Sequence, residues 1–148
     1  MMKKALIFLI IFCFIPSMIL ASELKNVNDV EKFTYMLISK IQKNQIAEMF
    51  DLTKNFTFIP VEEIESAKNQ IILKRKEYIN RIGNPIGSVI HIETKTIVDS
   101  LIHIKYLEKC DRNSIIWNFT FYKPMDDWFL ASLWSSDNIL SLFGENFQ

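Results

Sequence analysis

The titratable candidates for an acid or base acting on a ligand are Tyr35, His91, Asp99, His103 and Tyr106. A carboxyl or imidazole held in an apolar cavity acts as a general acid or base, because desolvation moves its pKa towards neutrality. None of these residues stands in the spacing of a known catalytic motif. Asp99 adjoins Ser100 between two apolar runs, where turn chemistry accounts for it. Tyr35 and Tyr106 read as core-edge aromatics whose hydroxyls reach water. His91 and His103 are the only histidines, and no His-x-His or Cys-x-x-Cys spacing completes a metal site around them. The sequence has no glycine-rich phosphate loop and no Gly-x-Ser-x-Gly elbow. No catalytic group, metal or cofactor is expected.

Other reactive or sticky groups have ordinary readings beside sharper ones. Cys13 lies in an apolar leader, which leaves Cys110 alone, within the polar run Glu108-Lys109-Cys110-Asp111-Arg112-Asn113. It reads as an inert turn cysteine; the alternative is an intermolecular thiol. Lys74-Arg75-Lys76 reads as a solvated helix face; the alternative is an anion or membrane contact. Trp117, Trp128 and Trp134 concentrate near the C-terminus. Core packing is their default, with a ligand-lined cavity or a protein-binding face as the alternative.

The N-terminus supplies the address. Lys3 and Lys4 precede an uncharged, almost wholly apolar run from Ala5 to Leu20, and Ala21 is a small residue at the expected cut. This is the pattern of a bacterial-type signal peptide over residues 1–21, implying a periplasmic or secreted protein. The alternative is an uncleaved anchor, but the run is interrupted by Pro16 and falls short of the roughly 20 apolar residues that span a bilayer. Residues 22–148 then form one domain with one core. The full chain of 148 residues carries 17 basic and 17 acidic side chains. Losing Lys3 and Lys4 leaves 15 basic against 17 acidic, a balance of −2, which excludes the basic excess of a nucleic-acid binder.

Hydrophobic periodicity places these residues on elements. Val30, Phe33, Leu37, Ile38 and Ile41 predict a helix starting near Asn28, with Glu31 completing a capping box. A short helix is expected over Gln45–Leu52. A longer one is expected over Pro60–Ile82, with Ile64, Ala67, Ile71, Tyr78 and Ile82 inward and Gly83 as its stop. Beyond Gly87 the period changes to two. Strands are expected over Val89–Ile97, Leu101–Glu108, Ser114–Lys123 and Trp128–Ser135, separated by turn residues. Ile115, Trp117, Phe119 and Phe121 should share one face, and Ile116, Asn118, Thr120 and Tyr122 the other. In the last strand Trp128, Leu130, Ser132 and Trp134 should alternate with Phe129, Ala131 and Leu133. A short terminal helix follows Ser136-Asp137. The fold class is therefore α+β: N-terminal helices packed on a curved four-stranded antiparallel meander. The second sheet face is too apolar to stand bare in water, which points to a partner.

The order of these elements resembles the nuclear transport factor 2-like superfamily, which includes ketosteroid isomerase and the polyketide cyclases. The segments Ile116-Trp117-Asn118-Phe119-Thr120-Phe121-Tyr122-Lys123-Pro124, Asp127-Trp128-Phe129-Leu130 and Ser135-Ser136-Asp137-Asn138-Ile139 look like the last hairpin of small secreted members. The resemblance implies a cone-like domain able to hold a small apolar ligand and an outer sheet face that often mediates dimers. On that basis Tyr35, Tyr106, Trp117, Phe119 and Trp134 are the candidate ligand-binding residues.

The leading functional expectation is an exported binding and interaction domain without enzymatic activity. It forms a homodimer through the outer sheet face, with a small apolar ligand or an envelope protein as partner. It binds neither nucleic acid nor, once the leader is removed, a membrane. One alternative is a cone-pocket enzyme or carrier for a small apolar ligand. The other is a periplasmic component of a secretion assembly, since periplasmic domains of type IV secretion subunits share this fold type.

Overall fold

The computed structural model describes residues 23–144. The expected signal peptide and Cys13 lie outside the described residues. No helix among the described residues is long and apolar enough to cross a membrane.

The chain runs as α1 (Val27–Gln42), α2 (Ile46–Thr53), a 3-10 turn (Lys54–Phe56) and α3 (Val61–Ile82). Four strands follow: β1 (Pro85–Ile97), β2 (Leu101–Cys110), β3 (Ser114–Tyr122) and β4 (Phe129–Ser136). A 3-10 helix (Ile139–Phe143) comes last. The strands form one antiparallel sheet in the order β1-β2-β3-β4. This is an α+β domain with its helices first and its sheet second.

α1 buries Val30, Phe33, Thr34, Leu37, Ile38 and Ile41, the stripe that its sequence spacing dictates. Its cap differs from expectation. Asn26 rather than Asn28 is the N-cap, and its side chain accepts from the Asp29 backbone N–H at 3.0 Å. The Asp29 carboxylate in turn accepts from the Lys25 backbone N–H at 3.1 Å. One such pair satisfies the helix start, and Asn28 stays exposed.

α3 ends on Gly83, whose φ of +86° lies in the left-handed region. A Cβ there would meet the Asp111 Cβ at 2.8 Å, because the β2–β3 turn packs over the helix end. Arg112 and Asn113 donate backbone hydrogen bonds to the Ile82 carbonyl at 3.1 and 3.2 Å. Glycine is required by conformation and by space.

Three register shifts interrupt the sheet: one between Pro85 and Val89 of β1, and two that decide which side chains face the helices. On β1 the pairing passes from Glu93↔Lys105 to His91↔Tyr106, leaving Ile92 unpaired. Without that extra residue His91 would point to the same side as Glu93 and Lys95; with it His91 joins Tyr106 on the helix side. On β4 the pairing passes from Thr120↔Ser132 to Phe121↔Leu130, skipping Ala131. Strict alternation puts Leu130 and Trp134 on one face. The bulge instead turns Leu130 into the core and leaves Ser132 and Trp134 outside. Trp128 precedes β4, joined to Leu24 by an isolated bridge, and is buried. β1 starts at Pro85, earlier than expected, and β2 runs on to Cys110, so that cysteine belongs to a strand end rather than a turn.

The core lies between the helices and the inner sheet face. Ile102 and Ile104 of β2, Ile115, Trp117, Phe119 and Phe121 of β3, and Leu130 of β4 meet the α1 stripe, Met49 and Phe50 of α2, and Ile64 and Ile82 of α3. The outer face carries His103 and Lys105 of β2 and Ile116, Asn118 and Thr120 of β3, with Trp134 on β4. Its centre is not bare: Ile116 and Asn118 are buried.

Candidate functional site

The most unusual group in the core is a buried ion pair. Arg75 on α3 donates from Nη1 and Nη2 to the two carboxylate oxygens of Glu108 on β2, each at 2.8 Å. Nη2 also donates to Asn44 Oδ1 at 2.7 Å, and Trp117 Nε1 donates to Glu108 Oε2 at 2.7 Å. Relative exposure is 1% at Glu108 and 9% at Arg75. A carboxylate so deep is tolerable only when a cation and further donors take over from water. The fork of the guanidinium matches the carboxylate edge, which a lysine could not do.

Local structure explains how each member arrives. Asn44 lies in the α1–α2 turn with φ +55°, a left-handed conformation that asparagine tolerates, and its N–H donates to the Ile41 carbonyl at 2.9 Å. That turn delivers the amide to Arg75. Arg75 falls on the inward stripe of α3, four residues after Ile71 and seven before Ile82, so its stem packs as an apolar side chain would. The expectation that Lys74-Arg75-Lys76 is a solvated run holds for the outer two, which are exposed, and fails for Arg75. Glu108 follows Ile102, Ile104 and Tyr106 at period two and therefore points inward.

Beside this pair opens a pocket of about 420 Å³ between α2, α3 and the adjoining strand ends. Ile46, Ile72, Ile79, Ile82 and Ile115 form its aliphatic wall. Arg75, Asn44 and Gln45 form its polar end, while Glu48 and Lys76 are exposed side chains of its lining. Cys110 also lines it, and burial pushes that thiol's pKa up. Glu108 is absent from the lining, and both its oxygens are occupied by Arg75 and Trp117. Glu108, the one fully buried carboxylate among the described residues, is thus an anchor for Arg75, not a group facing the pocket.

A second, open groove runs between α1 and the β1–β2 pair, lined by Glu31, Lys32, Tyr35, Met36, His91, Thr94, Ile104 and Tyr106. The His91 and Tyr106 rings meet edge-on with centroids 5.3 Å apart. His91 Nε2 lies 2.9 Å from Thr94 Oγ1. Burial, with a small contribution from Glu31, pushes the Tyr106 hydroxyl up.

The structure divides the candidate ligand-binding residues among three places. Tyr35 and Tyr106 line the open groove. Trp117 and Phe119 have no exposed surface and line neither the groove nor the pocket between α2 and α3. Trp134 stands on the outer sheet face, 47% exposed. Asn44, Gln45, Arg75 and Glu108 are not among the candidate ligand-binding residues, although Arg75 belongs to the basic run Lys74-Arg75-Lys76. An arginine on an apolar helical stripe and a glutamate at an inward strand position were the available signals. Among the described residues, no group of three His, Cys, Asp or Glu side chains converges to hold a metal ion.

No family model matches this chain, and neither a curated protein nor a solved structure does.

Proposed function

We propose that this is an exported, non-catalytic binding domain of nuclear transport factor 2-like kind, whose ligand seat is the pocket between α2, α3 and the strand ends. The observation that carries the reading is a predominantly aliphatic pocket of about 420 Å³ ending on a guanidinium already neutralised by Glu108. Such a concavity has the size and character of small-molecule sites. It presents no free carboxylate or imidazole near its polar end, so binding rather than proton transfer fits its chemistry.

Thermal-shift screening against a panel of apolar small molecules tests the seat. Binders should raise the melting temperature of the wild type and lose that effect when Ile79→Trp fills the pocket. A panel with no effect, or effects that survive the filling, would remove the proposal.

Self-association through the outer sheet face belongs to the same reading. Trp134 is 47% exposed there, and Leu140 of the following 3-10 helix is 51% exposed. Light scattering on the purified protein should give a dimer that Trp134→Lys dissociates; a monomer at high concentration rules this interface out.

A further inference from the structure

The most exposed large apolar side chains gather at one end of the sheet. Met125, Val98 and Phe58 are 82%, 77% and 70% exposed, more than any other large hydrophobic residue among the described ones. Val98 lies in the β1–β2 turn and Met125 in the β3–β4 turn, which an antiparallel meander brings to the same end. The two turns are tied together: the Lys123 backbone N–H donates to the Ser100 carbonyl at 2.9 Å, and Lys123 Nζ pairs with Asp99 at 2.7 Å. Phe58 joins them by packing on Phe129 at the start of β4, with ring centroids 3.9 Å apart. Val98 also carries backbone strain. Its φ of +45° lies in the left-handed region, where a β-branched residue is an outlier and asparagine or glycine is at ease. Exposed as it is, its side chain gains little from packing within the domain.

The point where the chain enters the domain shows what this end faces. Leu24 is bridged to Trp128, whose backbone N–H donates to the Leu24 carbonyl at 2.7 Å, and Lys25 pairs with Asp127 at 2.7 Å. The chain therefore enters beside the β3–β4 turn. The apolar run Ala5–Leu20 ends three positions before Glu23, a reach of about 11 Å at full extension. While that run occupies a membrane, during export or as an anchor, Met125 and its neighbours are held within reach of lipid. The cations of this end are already paired, Lys123 with Asp99 and Lys25 with Asp127 and Glu23, and Asp126 adds a negative charge. Its attraction is therefore apolar, and suits a neutral lipid surface.

We propose that this end of the sheet docks on a bilayer surface, with the side chains of Val98, Met125 and Phe58 entering the headgroup region. Removing their exposed apolar surface from water supplies the attraction. Only side chains enter, because the N–H and C=O groups of the turns would find no partners in hydrocarbon. This departs from the expectation of no membrane contact: Phe58, Val98 and Met125 lie far apart in the sequence and meet only in the fold. The pocket lies at the opposite end of the strands, against Pro85, Cys110 and Ile115, so the docking surface stands independently of the ligand seat.

The test uses the full-length protein with Cys13→Ser and Cys110→Ala, labelled with the environment-sensitive fluorophore NBD at Met125→Cys and mixed with phosphatidylcholine vesicles. The label should brighten and shift to the blue, and lipids carrying a nitroxide near the headgroup should quench it. The same label at Asn113→Cys, exposed in the β2–β3 turn at the far end, should do neither. High salt should leave the signal unchanged, because screening weakens ionic contacts and not apolar ones. Val98→Asn, which suits φ +45° better than valine, and Phe58→Asp should each remove most of the brightening at position 125 with the circular dichroism unchanged. The leader is the same in every variant, so that loss reports the turns and not the tether. A label at position 125 that stays in water, equal signals at 125 and 113, a signal lost at high salt, or one indifferent to both substitutions overturns the proposal.

Discussion

Replacing Arg75 with methionine isolates the ion pair that joins α3 to the sheet. Methionine keeps an unbranched apolar stem in the same channel, so the change removes the charge more than the packing. Three hydrogen bonds at 2.7–2.8 Å disappear, and Glu108, 1% exposed, retains only the Trp117 indole at 2.7 Å. Stranding one partner of a buried pair costs about 3–5 kcal/mol. A small domain has about 5–15 kcal/mol in all. For a domain of this size that loss corresponds to a melting temperature lowered by roughly 10–25 °C. The double variant Arg75→Met/Glu108→Leu removes both charges and should recover to within about 1 kcal/mol of the wild type, since apolar replacement of a buried pair is often neutral. Urea unfolding followed by circular dichroism on the wild type, both single variants and the double variant closes the cycle; with each single variant stranding a partner at about 3–5 kcal/mol, the expected coupling is at least about 5 kcal/mol. An Arg75→Met protein within about 1 kcal/mol of the wild type would refute the reasoning, because it would mean that water reaches Glu108.

Two further outcomes follow from the same physics. Gly83→Ala should destabilise the domain by more than about 1 kcal/mol, since it adds a Cβ at φ +86° and 2.8 Å from the Asp111 Cβ; an unchanged urea midpoint would contradict the required conformation. Burial lowers the His103 pKa in the folded state, helped by the positive charge of Lys105, so the unfolded chain binds the proton first. Stability is then present above the ordinary histidine value of about 6.5 and declines as pH falls through it. His103→Gln, which keeps a partner for Thr120, should flatten melting curves recorded between pH 7 and 5, and an equal decline in the variant would assign the effect elsewhere.

The proposed nuclear transport factor 2-like kinship and the site differ in what supports them. The kinship rests on element order and on the aromatic hairpin around Trp117, features that many α+β sequences can satisfy. The site rests on particular atoms: an arginine and a glutamate on separate elements, and an amide delivered by a left-handed turn. Confirmation of either would therefore say little about the other.

The elements themselves were written into the sequence. The 3.6-residue stripe of Val30, Phe33, Leu37, Ile38 and Ile41 could bury itself only as a helix, and the period-two aromatics of Ile115–Phe121 only as a strand with one inner face. Gly83 and the turn residues after Ile97 marked two of the ends, whereas β2 runs on to Cys110, past Glu108, where the sequence pattern ends it. What sequence periodicity could not carry was any feature that depends on a one-residue insertion or on a partner far along the chain. The bulges at Ile92 and Ala131 moved His91 and Leu130 to the helix side because the extra residue reverses every later side chain on the strand. Arg75 became a core residue because Glu108, 33 positions away, compensates its charge there. Periodicity is local and survives in the linear order, whereas the match of a buried cation to its anion exists only once α3 lies against β2.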